Sequence, residues 1–207
     1  MPGDDFETYF DQRARRFAAF YSSEPVGRLL GRGALYDRLR IAVELAVDLG
    51  ARSVLDVGCG SGPLFAPLAH HGIRVTGIDP ADAMVAMARR QAAELSGLVE
   101  VRQCGWEDLD GKDQYDLAVA LGVFDYVAEP AELLRRMGAA APHALGSFPS
   151  PGLRIGLRKV RYGRRGVTVH GYPRGAFEGL AEQAGMAVAE VTPLGRAGFA
   201  VHFRRAG

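Results

Sequence analysis

The chain has 207 residues, 48% of them hydrophobic, with 25 lysines and arginines against 24 aspartates and glutamates. That length supports one domain with a full core, and that composition excludes a disordered chain. A formal net charge of +1 gives no general pull toward a polyanion, and no apolar stretch reaches the roughly 18 residues that span a bilayer.

The start, Met1-Pro2-Gly3-Asp4-Asp5, is acidic and lacks the basic and apolar regions of a signal peptide, so a cytoplasmic location is expected. Residues 5–20 read as a helix with Tyr9, Phe10, Arg13, Phe17 and Phe20 near one face, broken by Ser22 to Gly27. A second helix is predicted from about Ala34 to Leu49, with Leu35, Leu39, Ala42, Val43 and Ala46 as its apolar stripe and Gly50 as its stop. Together residues 1–50 are read as an N-terminal helical cover.

A regular alternation follows. Strands are predicted at Ser53–Val57, Arg74–Ile78, Val99–Gln103, Leu117–Leu121 and Ala144–Phe148. Helices are predicted between them at about 64–71, 81–95 and 131–141, with Pro80 suited to the first turn of the second. Pro149-Ser150-Pro151-Gly152 is a turn signal, after which residues 153–171 are basic and weakly periodic. A helix near 175–184 ends at Gly185, and Val188–Val191 with Phe199–Phe203 read as a late antiparallel hairpin. This order argues for an α/β fold with a Rossmann-like, doubly wound, mostly parallel seven-stranded sheet and an antiparallel last strand. The expected organisation is a single domain: cover 1–50, core 51–148, basic insertion 149–172, and last helix with hairpin 173–207.

The chemistry concentrates at Val54-Leu55-Asp56-Val57-Gly58-Cys59-Gly60-Ser61-Gly62 and at Gly77-Ile78-Asp79. A strand ending in a glycine loop lets the backbone approach a ligand closely. An acid about 20 residues on can hold ribose hydroxyls. Asp56-x-Gly58-x-Gly60-x-Gly62 resembles the first motif of class I S-adenosylmethionine (SAM) dependent methyltransferases, and the likeness extends from about Ser53 to the C-terminus. It implies S-adenosyl-L-methionine as cofactor and S-adenosyl-L-homocysteine (SAH) as product; no spacing in the sequence suggests a metal cage, so no metal is expected.

Carried onto this sequence, the resemblance implies that Gly58, Gly60 and Gly62 shape the loop and that Asp56 holds water or the SAM ammonium. It implies that Asp79 takes the ribose diol and that Met84 covers the adenine. After the third strand the family often places an acid against the adenine amine. Here Gly105 stands there, so Gly105, Trp106 or Glu107 is expected to replace that contact, with Trp106 as a stacking residue or lid. Cys59 and Cys104 fit free thiols in a reducing compartment. Leu121 and Gly122 are expected at the methionine end of SAM.

Phe124-Asp125-Tyr126 is similar to the corresponding segment of magnesium-protoporphyrin O-methyltransferases and, more loosely, of ubiquinone-pathway methyltransferases. That likeness points to O-methylation of a small molecule. Asp125 is then a proton acceptor and Tyr126 an orienting hydroxyl; alternatively both cap the next helix and pack against the N-terminal cover. His170 is the remaining catalytic candidate, with Tyr172 near it as a substrate contact. The basic insertion carries Arg154, Arg158, Lys159, Arg161, Arg164 and Arg165. Arg158 and Arg161 are expected to bind an anionic small acceptor, since arginine suits planar anions; a polyanion or a plain solvated surface are the other readings.

Three other readings compete. An NAD-dependent oxidoreductase fits the acid before the glycine loop less well. A nucleic-acid methyltransferase is not favoured, because no proline pair follows the fourth strand, although this does not exclude RNA enzymes. A non-catalytic SAM- or SAH-binding module would keep the glycine loop and Asp79 without an acceptor pocket. No membrane partner is expected.

Overall fold

The computed structural model describes residues 33–111, 114–152, 155–156 and 168–206. The helix predicted over residues 5–20, and Arg154, Arg158, Lys159, Arg161, Arg164 and Arg165, lie outside the described residues.

Helix α1 (Gly33–Asp48) is followed by β1 (Ser53–Val57), α2 (Phe65–His70), β2 (Arg74–Asp79), α3 (Asp82–Ala93) and β3 (Val99–Gln103). Then come β4 (Leu117–Ala120), α4 (Pro130–Ala140), β5 (His143–Pro149), α5 (Phe177–Gln183), β6 (Met186–Pro193) and β7 (Gly198–Arg205). Helix α3 has Ala81 as N-cap, so Pro80 precedes the helix rather than opening it. The predicted helix at 175–184 divides into a 3-10 turn, Arg174–Ala176, and α5. Gly50 and Gly185 close their helices with φ of +62 and +69, a region open to glycine without a Cβ penalty.

The seven strands form one sheet in the order β3-β2-β1-β4-β5-β7-β6. The first five are parallel, and β7 is antiparallel to both β5 and β6. The chain moves outward from β1 to β3 and returns to the other side of β1 as β4. That reversal opens a crevice at the C-terminal ends of β1 and β4, where open α/β sheets bind ligands.

Both sheet faces are covered, which is why the central strands read as continuous apolar runs. One face packs Leu55, Val57, Ala118, Ala120 and Phe148 with Leu133, Leu134 and Met137 of α4 and Phe177 of α5. The other packs Val54, Val75, Leu117, Val119 and Leu145 with Ala42 and Ala46 of α1 and with Phe65 and Leu68 of α2. All four residues of β4 are buried. The late hairpin is longer than its apolar residues suggested, because backbone pairing runs the full length of β5, from His143↔Arg204 to Pro149↔Gly198.

Candidate active site at the strand reversal

The loop after β1 is tied to β2 and α2 by its own backbone. Cys59 N–H donates to Ile78 O at 2.9 Å, and Gly62 N–H donates to Cys59 O at 3.0 Å. Gly62 holds φ +84, and a methyl group there would enter the buried ring of Phe65. Gly60 differs: among the described residues, the nearest atom to a methyl placed on it is Met84 Sδ, 4.0 Å away. The Gly60 backbone is therefore open to close approach by a ligand, with Met84 of α3 standing beside it.

Two buried carboxylates meet this loop. Asp79 ends β2, where its Oδ2 accepts from Gly60 N–H at 2.9 Å and its Oδ1 from Ala81 N–H at 3.0 Å. A carboxylate offers about four acceptor sites, so these two bonds orient it and leave it suited to a diol as well. Asp56, in β1, is 3% exposed. Burial, then the negative charge of Asp79, pushes its pKa up to about 8, against the pull of Arg38. The same causes, burial first and then Asp56 and Asp79, raise the Cys59 thiol well above its ordinary range.

Arg38 was not singled out from sequence. It reaches in from α1, and a methyl group on Gly122 would come within 2.9 Å of its Nη1. Arg38, Ala42 and Ala46 share one helix face at four-residue spacing, and both alanines are buried. A basic residue on the buried face of an amphipathic helix is the signal that marks it. Arg38 thus lies beside Gly122 and attracts Asp56, so among the described residues this end of the crevice brings Arg38 together with the carboxylates of Asp56 and Asp79.

The turn after β3 is clamped from the other side of the sheet. Gly105 N–H donates to Asp108 Oδ2 at 3.0 Å. Arg136 of α4 donates to Glu107 O at 2.6 Å and Leu109 O at 2.8 Å, and its guanidinium lies 6.0 Å from the Trp106 ring centroid. Trp106 is half-buried and packs on the α4 face of the core. Arg136 thus draws the Glu107 and Leu109 carbonyls and the Trp106 ring toward α4.

Beyond β4, Gly122 holds φ +83 and its N–H donates to Ser147 Oγ of β5 at 2.7 Å. Leu121 is half-buried against the α1–α2 side. Asp125 is 8% exposed. Neither Asp125 nor Tyr126 is the N-cap of α4, which begins at Pro130 after Glu129. Asp125 O instead accepts from His170 N–H at 2.7 Å, and Phe124 O accepts from the Tyr172 hydroxyl at 3.0 Å. The structure therefore brings Asp125, Tyr126, His170 and Tyr172 together. Arg158 and Arg161 lie outside the described residues. Among the described residues, no three His, Cys, Asp or Glu side chains gather where they hold a metal ion, and no helix is long and apolar enough to cross a membrane.

Residues 54–141 match the family model for a methyltransferase domain. That match covers less than half of this chain and marks a methyltransferase domain within it. Ubiquinone biosynthesis O-methyltransferase of Bradyrhizobium diazoefficiens is 33% identical over 91 residues, 44% of this chain and 36% of the relative. Its counterpart in Pseudomonas savastanoi pv. phaseolicola is 37% identical over 95 residues, 45% of this chain and 41% of the relative. The matches thus span less than half the length of these curated relatives. Among solved structures, magnesium protoporphyrin IX methyltransferase from Synechocystis PCC 6803, with bound SAH, superposes with a TM-score of 0.79 at 21% identity. That likeness covers 97% of this chain and 98% of the other. Mitomycin 7-O-methyltransferase superposes with a TM-score of 0.67 at 22% identity, covering 92% of this chain and 60% of that one. At these identities the superpositions establish the fold of the methyltransferase domain.

Proposed function

We propose that this chain transfers the methyl group of SAM to a small-molecule acceptor, with an oxygen as the receiving atom. One observation carries the cofactor reading: Asp79 is held against the glycine loop by Gly60 N–H, beside a Gly60 backbone that, among the described residues, nothing nearer than Met84 covers. SAM presents a ribose diol, an ammonium, a carboxylate and a sulfonium. The diol suits Asp79. The ammonium suits Asp56, whose ionised form is poorly balanced without an added cation. The carboxylate suits Arg38, a planar donor beside Gly122.

When bound, SAM supplies an activated methyl group. The chain's own residues position the reactants, exclude water and accept a proton. Well-oriented reactants gain roughly 7–11 kcal/mol from proximity, so a methyltransferase needs little else. Asp125 is the proton acceptor for an acceptor hydroxyl, and Tyr126 or His170 orients it. The resemblance of Phe124-Asp125-Tyr126 to oxygen-methylating families, together with the O-methyltransferase relatives, supports oxygen as the receiving atom. On this reading residues 51–148 form the cofactor core and residues 149–172 cover the acceptor, with Arg158 and Arg161 favouring an anionic one.

The test uses SAM labelled in its methyl group and a panel of phenols, carboxylic acids and amines. The expected result is SAH formation with label in a phenol or carboxylic acid. Absence of SAM and SAH binding overturns the reading. Label confined to amines overturns the oxygen assignment.

A further inference from the structure

We infer that Tyr172 is a positioning residue for Asp125, and that residues 169–172 form a strap fixing the loop after β4; this rests on the acceptor-side role proposed above for Asp125. The sequence placed Tyr172 against the acceptor. Its geometry assigns it a different task.

The two backbone rotations of Asp125 connect two rigid peptide planes, one carrying Phe124 O and the next carrying Asp125 O. The strap holds both planes. The Tyr172 hydroxyl donates to Phe124 O at 3.0 Å, and His170 N–H donates to Asp125 O at 2.7 Å. Tyr126 N–H closes the turn onto Val123 O at 2.9 Å. With both flanking planes held, the Asp125 carboxyl keeps its side-chain torsions and little else.

The strap is itself anchored. Val169 is 1% exposed, and Tyr172 N–H donates to Pro149 O at 2.8 Å. The Tyr172 ring meets Phe148 edge-on, with centroids 5.1 Å apart and planes at 80°. Burial, and then the charge of Asp125, pushes the Tyr172 pKa above the usual phenol range. The hydroxyl therefore stays protonated and donating throughout the physiological range. A tyrosine lining an acceptor pocket turns its hydroxyl to the ligand; this one is 9% exposed and spends its hydrogen on a backbone carbonyl.

Tyr172→Phe tests this, because it removes the hydroxyl and keeps the ring against Phe148. By NMR, the Asp125 side-chain carboxyl carbon should titrate with a midpoint moved by about half a pH unit or more. Exchange of the His170 amide should quicken roughly three- to tenfold as the strap loosens. SAH affinity should stay within about twofold, since the change lies beyond the cofactor residues. A merely structural tyrosine lowers the unfolding temperature and leaves the Asp125 titration in place, which overturns the inference. In the unaltered protein, a scalar coupling across the hydrogen bond from His170 nitrogen to Asp125 carbonyl carbon is expected. Its absence overturns the strap even if the variant does not fold. Failure of the methyltransferase reading appears separately, as loss of SAH binding with both NMR results intact.

Discussion

The cofactor end of the crevice and its acceptor end are built differently. The glycine loop, Asp79 and Met84 lie within 31 positions of one another, from Val54 to Met84, and their contacts join β1, β2 and the segments that directly follow these strands. The loop around Asp125 is held by residues 45 and 48 positions later, through His170 and Tyr172. A local device leaves a local sequence signature. A device assembled by the fold leaves scattered residues that look ordinary one at a time.

The largest effect is expected in the local device. Gly62→Val would force a branched side chain into a left-handed backbone and into the Phe65 ring. A loss of about 2–5 kcal/mol in unfolding free energy is expected from denaturant titration. A loss below about 1 kcal/mol would show that the loop is adaptable rather than locked to α2.

The next effect concerns charge. Asp56 ionises near 3.8 when unfolded and near 8 in the fold. Between those values the folded state holds a proton that the unfolded state has lost, so stability falls as pH rises through this window. The unliganded protein should therefore melt lower at pH 8 than at pH 5, and Asp56→Asn should flatten that slope. Calorimetry in buffers of different ionisation heat should show proton release when SAM binds near pH 7. Parallel slopes in both proteins would contradict the buried-charge account.

At the acceptor end the effects are smaller. Tyr172→Phe should cost about 1 kcal/mol of stability, the typical net contribution of one buried hydrogen bond. A surface pair sets the lower end of the scale. Arg40 and Glu44 of α1 meet at 2.7 Å with both side chains more than half exposed. Arg40→Ala should change unfolding free energy by about 0.5 kcal/mol or less. A larger loss would mean that α1 is held to the sheet by more than its buried alanines.

Legibility followed the same division. A mostly parallel, doubly wound sheet of seven strands with an antiparallel last strand could be read from strand–helix alternation and the family resemblance, because a sheet covered on both faces leaves apolar runs along the chain. Leu117–Ala120 is the clearest case, buried at every residue. The strand order and the reversal at β1 and β4 came from the structure. Trp106 was expected as a stacking residue or lid. Its turn is drawn toward α4 by Arg136, which lies 27 and 29 positions from the carbonyls it binds. Nothing near Trp106 in the chain announces that partner. Arg38 was hidden for the opposite reason: its helix was recognised, but its apolar stripe was drawn without the one charged residue on the buried face. The Ser147 hydroxyl at Gly122 depends on β5 pairing beside β4, which no local pattern specifies.

The central claim is that the glycine loop and Asp79 hold the adenosyl cofactor. Titration calorimetry of SAH and of NAD, on the unaltered chain and on Asp79→Ala, tests it most directly. The account predicts SAH binding with NAD much weaker, and a loss of at least about 1.5 kcal/mol of SAH affinity in the variant, as for hydrogen bonds to a charged group. Thermal unfolding run alongside checks that the variant remains folded despite freeing Gly60 N–H and Ala81 N–H. Equal or stronger NAD binding, or unchanged SAH affinity in a folded Asp79→Ala protein, would contradict it.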